Sequence, residues 1–288
     1  MRRLTLVFCL TLFTIVLPSC EFEDVERAGY AAQALVRGFR PLTHDEVYQM
    51  SLGVGARIAG SRGVYDRDPA LTKYVNMVAM TVGHYSDRPD FYYRVLLLDA
   101  PNEVNAFTTA DGRIFMTTGL LMMIESESEL AGILGHEIAH AARGHVKKAV
   151  ENERRKIALI TAASIMLEDY GVFAEIADSC FDIIALRPRS RRQESEADRY
   201  GTYYAEAAGY DPHGLMEFLK RVRDKQVNTS GSSFKALDTH PDINRRITDL
   251  EETIATNFRP RTCHPVMITT SSGRRVERSR YYTAGLRR

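Results

Sequence analysis

The sequence predicts a mainly helical α+β protein with a small antiparallel sheet beside one central helix. Apolar residues recur at helical spacing over most of the chain, as they do in residues 126–142. Two β-like segments, 104–109 and 113–118, flank a short turn that contains Gly112, which is typical of a hairpin. The helix that follows them carries the pattern His-Glu-x-x-His at residues 136–140.

The composition bounds the size of the core and the class of partner. The chain has 288 residues, 44% hydrophobic content and a formal net charge of +1. Such a chain can bury a sizeable core. It lacks the basic excess of nucleic-acid binders, so we expect no nucleic-acid partner. Arginines cluster at residues 187–192 and in the last thirty residues. We interpret them as solvated, with a patch that faces anionic lipid as the alternative.

Residues 1–19 have the features of a bacterial export signal. Two arginines precede the apolar run 4–17, which is too short for a comfortable membrane span. The run ends at Leu17-Pro18-Ser19-Cys20, which resembles a lipobox although Pro18 is uncommon at its position. We therefore predict that Cys20 is lipidated and becomes the mature N-terminus, tethering the protein to a lipid bilayer; plain secretion is the alternative.

The segments before the central helix follow from local signals. Residues 20–66 form a helical lead-in, in which a second helix begins at Thr43 with Glu46 completing a capping box. A third helix spans about 68–85 and has a proline near its start. Residues 92–98 are β-like and add a strand to the predicted hairpin.

The segments after the central helix are predicted to be helical as well. We interpret residues 146–189 as a helical insertion that packs over the central helix. The position of this insertion would allow it to act as a lid. Ser190 and Gln193 open a helix that Gly209 ends. Helices at 212–226 and 241–257 follow, with a Gly/Ser linker at 228–233 between them and a basic tail at 258–288. For Cys180 and Cys263 two alternatives remain, either a disulfide between them or two separate thiols.

The central helix carries the residues for metal-assisted hydrolysis. His136 and His140 are four residues apart, so they lie on one face and can bind the same zinc ion. Glu137 can accept a proton from water at such a site. Ser126 and Glu129 are predicted to cap the helix, and Gly132 and Gly135 leave room for a close neighbour.

A catalytic zinc site needs a third protein ligand. The metzincin spacing would require a glycine at 143 and a histidine at 146, where the chain has Arg143 and Val146. His145 points away from His136 around the helix, so we assign it a structural role.

Two carboxylates on a later helix are the candidates for the remaining positions. Glu194 and Asp198 are four apart and share a face. Either one can bind zinc while the other accepts the N–H of a ligating histidine, whereas Glu196 fits an exposed acidic turn. The small residues Ala197, Gly201 and Ala205 would let this helix approach the glycines of the central one.

Four ordered motifs together resemble the gluzincin metalloprotease family. They are His136-Glu137-Ile138-Ala139-His140, Glu194-Ser195-Glu196-Ala197-Asp198, the segment from Pro101-Asn102-Glu103-Val104-Asn105-Ala106-Phe107 to Gly119-Leu120-Leu121, and Thr239-His240-Pro241. This family contains the CaaX prenyl proteases, the heat-shock membrane proteases and periplasmic quality-control proteases of the BepA and LoiP type. The resemblance spans roughly residues 70–255.

The resemblance implies a zincin-like core at residues 67–257 that binds one Zn²⁺ per chain. The zinc ligands would be His136, His140 and Glu194, and Asp198 would hold a ligating histidine. The strand residues Asn105, Ala106 and Phe107 would bind the substrate as an added β-strand.

The implied activity is that of a zinc-dependent endopeptidase with Glu137 as its base. Its substrates would be unfolded or misassembled envelope proteins on the periplasmic side. A glutamate rather than an aspartate follows Cys20, which in enteric bacteria would favour the outer membrane. The alternative is a zinc-bearing chaperone or assembly factor that works with the outer-membrane assembly machinery and has a mostly closed site. An aminopeptidase of this class would need a Gly-x-Met-Glu-Asn motif, which the sequence lacks.

His240 has three interpretations. It can be an exposed flank of the last helix, because Pro241 suits a first helical position. The resemblance adds two roles: a gate that fills the open zinc position, or a donor to the oxyanion of the transition state. We favour the gate.

Overall fold

The structure, a computed structural model, describes residues 22–167, 189–228, 240–258, 267–269 and 275–277. The described residues fall into two compact units, one within the ranges 1–41 and 151–179 and the other within the ranges 42–150 and 180–288. The predictions for the export signal, Cys20, Cys180, Cys263, the part of the predicted insertion at 168–188 and most of the 228–233 linker lie outside the described residues.

The prediction of a mainly helical α+β fold is confirmed. In chain order the elements are α1 (Phe22–Phe39), α2 (His44–Arg62), α3 (Pro69–His84), β1 (Val95–Leu98), β2 (Ala106–Thr108), β3 (Ile114–Thr117), α4 (Thr118–Met123), α5 (Glu127–Ala142), α6 (His145–Leu167), α7 (Arg191–Ala207), α8 (Gly214–Asn228), α9 (Ile243–Asn257), β4 (Met267–Thr269) and β5 (Arg275–Glu277). Three elements were not predicted: the helix α4 and the two strands β4 and β5 in the tail.

The helix starts follow their capping residues. Thr43 and Glu46 form the predicted capping box of α2, and Ser190 and Gln193 form that of α7. Ser126 caps α5 as predicted, by accepting the N–H of Glu129 at 3.1 Å. The capping role predicted for the Glu129 side chain is wrong. The Glu129 carboxylate accepts the N–H of Glu125 and pairs with Arg221 on α8 instead, because a buried carboxylate is better satisfied by a cation.

The start of α9 also differs from the prediction. The helix begins at Ile243, two residues after Pro241. The residue between them, Asp242, has φ 65°, in the left-handed region that non-glycine residues rarely adopt. The chain therefore turns sharply just after His240.

The three-stranded sheet has the order β1-β3-β2 and is mixed. The β2–β3 hairpin is antiparallel as predicted, but β1 runs parallel to β3, with Val95 opposite Ile114, so the wholly antiparallel sheet was wrong. The reason lies in the connection from β1 to β2, which crosses the end of β3. The hydroxyl of Thr117 donates to the carbonyl of Glu103, and Thr118 accepts the N–H of Ala100. This crossing leaves β2 as an edge.

Helix α5 lies in the core of the second unit and packs against α3, α7, α8 and β2. Its contact with α7 is backbone to backbone. A Cβ on Gly135 would lie 2.5 Å from the Gly201 carbonyl oxygen, and a Cβ on Gly201 would lie 2.5 Å from the His136 nitrogen. On the side of α8, a Cβ on Gly132 would lie 2.6 Å from the Leu215 nitrogen. These glycines allow three helices to meet at the His-Glu-x-x-His segment.

The first unit pairs α1 with the later part of α6. Gly38 lies directly against Ala158, and Arg154 donates to the carbonyl oxygen of Arg40. Within the described part of the chain, no helix combines the length and the apolar character needed to cross a membrane. The lid role predicted for residues 146–189 stays a prediction.

We predict that Gly201→Ala lowers the free energy of unfolding by about 1–3 kcal/mol, because the added methyl group would overlap the backbone of α5. The control is Gly53→Ala in the exposed part of α2, where a Cβ meets nothing within 4 Å. That variant should be as stable as the parent or up to about 1 kcal/mol more stable. Urea unfolding with excess chelator measures both; equal stability of the two variants would contradict the backbone contact.

Candidate active site

Four buried side chains from three parts of the chain meet at the centre of the second unit. His136 and His140 come from α5, Glu194 comes from the first turn of α7, and His240 precedes α9. One ligand atom from each lies within 4.8 Å of those of the others. The Nε2 atoms of His136 and His140 are 3.1 Å apart, and Nε2 of His140 is 3.3 Å from a Glu194 oxygen. The lone pairs of these groups converge on one point.

The far side of the His136 ring contacts a carboxylate. Nδ1 of His136 lies 2.8 Å from Oδ1 of Asp198. Both Asp198 oxygens in turn accept hydrogen bonds from Arg246 on α9, at 2.7 and 2.8 Å. Asp198 therefore holds the proton of His136 on Nδ1, which leaves Nε2 free to bind a metal.

The far side of the His140 ring contacts another histidine. Nδ1 of His140 lies 2.9 Å from Nδ1 of His145, the first residue of α6. Nε2 of His145 is 3.4 Å from Glu196, which also accepts a hydrogen bond from Arg143 at 2.8 Å. Glu196 is half-buried and paired, so the exposed acidic turn expected for it was wrong.

Burial and nearby charges set the protonation of the cluster. Burial lowers the pKa of His140 well below its usual value, so this imidazole is neutral, the form that binds metals. Burial acts to raise the pKa of Glu194, but the positive charges of His240 and Arg246 outweigh it and hold that pKa well below its usual value. Burial likewise opposes ionisation of Asp198, and Arg246 again outweighs it, so its pKa is lowered.

Glu137 is buried beside the cluster, and an apolar cavity opens next to it. One oxygen of Glu137 lies 3.6 Å from Nε2 of His240. The cavity is walled by side chains from β2, α4, α5, α8, α9 and the segment before α9: Ala106, Leu120, Ile133, His136, Glu137, Leu215, Phe218, Leu219, Val222, His240 and Arg246. The base candidate thus borders a space that an apolar side chain can fill.

The strand β2 runs along α5 with its two faces in different surroundings. Ala106 faces the cavity, whereas Phe107 stacks on Phe115 in a second apolar cluster, with ring centroids 5.2 Å apart. Asn105 is buried, and its amide nitrogen donates to Glu103 at 3.2 Å. The Phe107 side chain therefore lies in that second cluster and is not part of the cavity wall.

His240 is buried, not exposed, and lies against the cluster. Its Nδ1 is 3.0 Å from Glu194 and 3.2 Å from Nε2 of His136. Burial opposes its protonation, but the charge of Glu194 outweighs this and raises its pKa.

Two arginines of the site were missed in the sequence. Arg246 was overlooked although it precedes Leu250 and Ile254 by four and eight residues, on the buried stripe of α9. A charged residue on an apolar stripe was the available signal. Arg189 was counted among solvated arginines, yet it is buried; burial lowers its pKa, and the charges of Glu137 and Glu194 oppose that effect.

The donor set fits one zinc ion. Imidazole nitrogens and a carboxylate oxygen are the ligands zinc prefers outside thiolate sites. The four donors are buried within 4.8 Å of one another, and Asp198 fixes the His136 tautomer that zinc needs.

A His-Glu-x-x-His helix that meets a glutamate from a separate helix is the ligand arrangement of the gluzincin class of zinc metallopeptidases. The family model described as peptidase family M48 matches residues 66–254, and the chain belongs to that family. Peptidases of this family use zinc.

Several characterised proteins are similar to this chain. The beta-barrel assembly-enhancing protease of Escherichia coli (strain K12) is 28% identical over 189 residues, which cover 63% of this chain and 38% of that protein. The mitochondrial metalloendopeptidase OMA1 of Schizosaccharomyces pombe is 28% identical over 181 residues, covering 63% and 52%. The metalloprotease LoiP of E. coli is 28% identical over 180 residues, covering 60% and 68%. The chain thus spans well under half the length of the first relative.

We predict that Arg246→Met lowers the free energy of unfolding by about 3–5 kcal/mol, because it leaves the Asp198 carboxylate buried without its cation. The matched control is Arg245→Met on the same helix, whose side chain is 56% exposed. That change should stay within about 0.5 kcal/mol. Urea unfolding of both variants measures the difference, and equal stabilities would argue against a structural role of the Arg246–Asp198 pair.

Proposed function

We propose that the protein is a zinc-dependent endopeptidase. The observation that carries the proposal is the position of Glu137, buried within one helical turn of both metal-binding histidines and beside an apolar cavity. His136, His140 and Glu194 would hold the ion, and Asp198 would orient His136.

Bound zinc would supply a Lewis acid that polarises the scissile carbonyl and promotes ionisation of water. Glu137 would accept one proton from the attacking water as its oxygen bonds to the carbonyl carbon. When the C–N bond breaks, Glu137 would pass that proton to the leaving amine. The net reaction consumes one water and leaves Glu137 ionised for the next cycle.

The edge strand β2 supports substrate binding by strand addition. Among the described strands it pairs only with β3. Asn105 and Thr109 make their main-chain bonds towards β3, so Ala106 and Thr108 direct theirs to the opposite edge. A substrate paired there would gain main-chain hydrogen bonds that are largely independent of its sequence, and an apolar side chain would enter the cavity. Unfolded segments can adopt this extended form.

The proposed setting is the periplasmic side of a bacterial envelope, with unfolded or misassembled proteins as substrates. The beta-barrel assembly-enhancing protease and LoiP among the relatives support it. Lipidation at Cys20 would tether the protein to a membrane, with the outer membrane favoured by Glu21.

Cys20→Ala should release the protein from the membrane fraction; a parent protein found only in the soluble fraction would contradict lipidation.

A second candidate function is that of a zinc-bearing chaperone or assembly factor for outer-membrane proteins, working with their assembly machinery. The buried position of His240 favours it, because a fourth imidazole at the metal would close the site. Cells that lack the protein would distinguish the two: rescue by an inactive Glu137→Gln variant supports the chaperone, and failed rescue supports the peptidase.

We predict that Glu137→Gln retains zinc but loses casein proteolysis by a factor of about 100 or more, because glutamine cannot accept the proton. The matched control, Glu125→Gln, replaces a largely exposed glutamate just before α5 and should keep full activity. Metal analysis and a proteolysis assay with and without chelator provide the measurements. Unchanged proteolysis by the zinc-loaded Glu137→Gln protein would refute the mechanism.

We predict that His240→Ala raises basal proteolysis and self-cleavage while zinc remains bound. The change removes the imidazole that lies 3.2 Å from His136 and 3.0 Å from Glu194, and so frees a metal position for water. Total zinc and the rate of casein cleavage are measured on the same sample. A zinc-loaded variant that is slower on every substrate would support the oxyanion role instead.

A further inference from the structure

His145 is buried against the metal cluster, but the proposed mechanism does not use it. It is 2% exposed, and the plane of its ring lies at 72° to that of His140, with 5.0 Å between the ring centroids. Its Nδ1 is 2.9 Å from Nδ1 of His140, a distance that requires one of the two nitrogens to donate and the other to accept.

The geometry decides which nitrogen donates. Nε2 of His140 faces His136 and Glu194, so binding a metal there needs its lone pair, and the ring proton must then lie on Nδ1. His140 therefore donates to Nδ1 of His145. His145 in turn carries its proton on Nε2, which faces Glu196 at 3.4 Å. Metal binding thus sets the tautomer of His140, and the donor on His140 sets the tautomer of His145.

Charged side chains fix Glu196, which is the last acceptor in the series of hydrogen bonds from His140 through His145. Arg143 donates to Glu196 at 2.8 Å and to Asp87 at 2.7 Å, and its guanidinium lies 4.3 Å from the centre of the Tyr200 ring. The Glu196 carboxylate is thereby kept in place to accept from His145.

The two metal-binding histidines are therefore supported differently. His136 donates directly to a carboxylate, whereas His140 donates to a neutral imidazole and meets a carboxylate only one residue further out. A direct carboxylate raises the basicity of a ligand more strongly than a neutral acceptor does. The support of His140 thus acts mainly on ring orientation and tautomer.

We propose that His145 is the residue that positions His140 for zinc, with Glu196 and Arg143 fixing the tautomer of His145. The proposal rests on the proposed zinc site. It assigns His145 no contact with substrate or with the reacting atoms.

Two near-isosteric substitutions test the proposal without opening a large cavity. The amide of asparagine occupies the place of Nδ1 in histidine, and the amide of glutamine occupies the place of Nε2. His145→Asn can still accept from His140, whereas His145→Gln reaches Glu196 and leaves His140 without its acceptor. We expect His145→Asn to bind zinc within about threefold of the parent. His145→Gln and His145→Ala should bind about tenfold or more weakly.

Zinc dissociation constants are measured by competition with a chromogenic chelator, on full-length proteins whose folding is checked by circular dichroism. Equal affinity in all variants, or an equal loss in the Asn and Gln variants, would overturn the role of His145. A parent protein that binds no zinc would instead overturn the proposed function itself. Imidazole ¹H–¹⁵N spectra of the zinc-loaded parent give a second readout. Protons on Nδ1 of His140 and Nε2 of His145 support the proposed hydrogen bonds from His140 to His145 and from His145 to Glu196, and any other assignment contradicts them.

Discussion

The contact between Gly135 and Gly201 is the constraint on which the rest of the site depends. At this point the backbones of α5 and α7 meet with no side chain between them. Glu194 and Asp198 lie one to two turns before Gly201, so the close approach places both carboxylates against His136. A larger separation of the helices would break both contacts at once. The ligand geometry is therefore a property of helix packing.

The close approach creates an electrostatic problem that α9 solves. Two carboxylates, Glu194 and Asp198, are buried in the same small volume, and neither would stay ionised alone. Arg246 contacts Asp198 through two hydrogen bonds and lies 3.4 Å from Glu194. Burial acts to lower the pKa of Arg246, but the two carboxylates outweigh it and raise that pKa, so the guanidinium stays charged. The metal site is thus complete only when α9 is packed against it, because α9 carries Arg246.

Sequence patterns predicted the elements whose causes are local. The capping boxes at Thr43 and Ser190 and the β2–β3 hairpin depend on residues a few positions apart. The pairing of β1 could not be predicted, because a crossing held by Thr117 and Thr118 decides its direction. Spacing singled out the pair Glu194 and Asp198, and the resemblance to a family assigned their separate roles, which spacing alone left unresolved. Arg246 was missed because its partners lie on another helix.

The order of the contributing segments along the chain bears on when the site forms. The contact between His136 and Asp198 spans 62 residues, and that between His136 and His240 spans 104. A chain under synthesis holds only two of the four donors until residue 194 has been added, and it lacks the Arg246 clamp for some fifty residues more. Closing such long loops is also slow compared with forming the hairpin and the helices. The cluster of donors therefore forms late along the chain, so a chain that ends before α9 lacks His240 and the arginine that neutralises the two buried carboxylates.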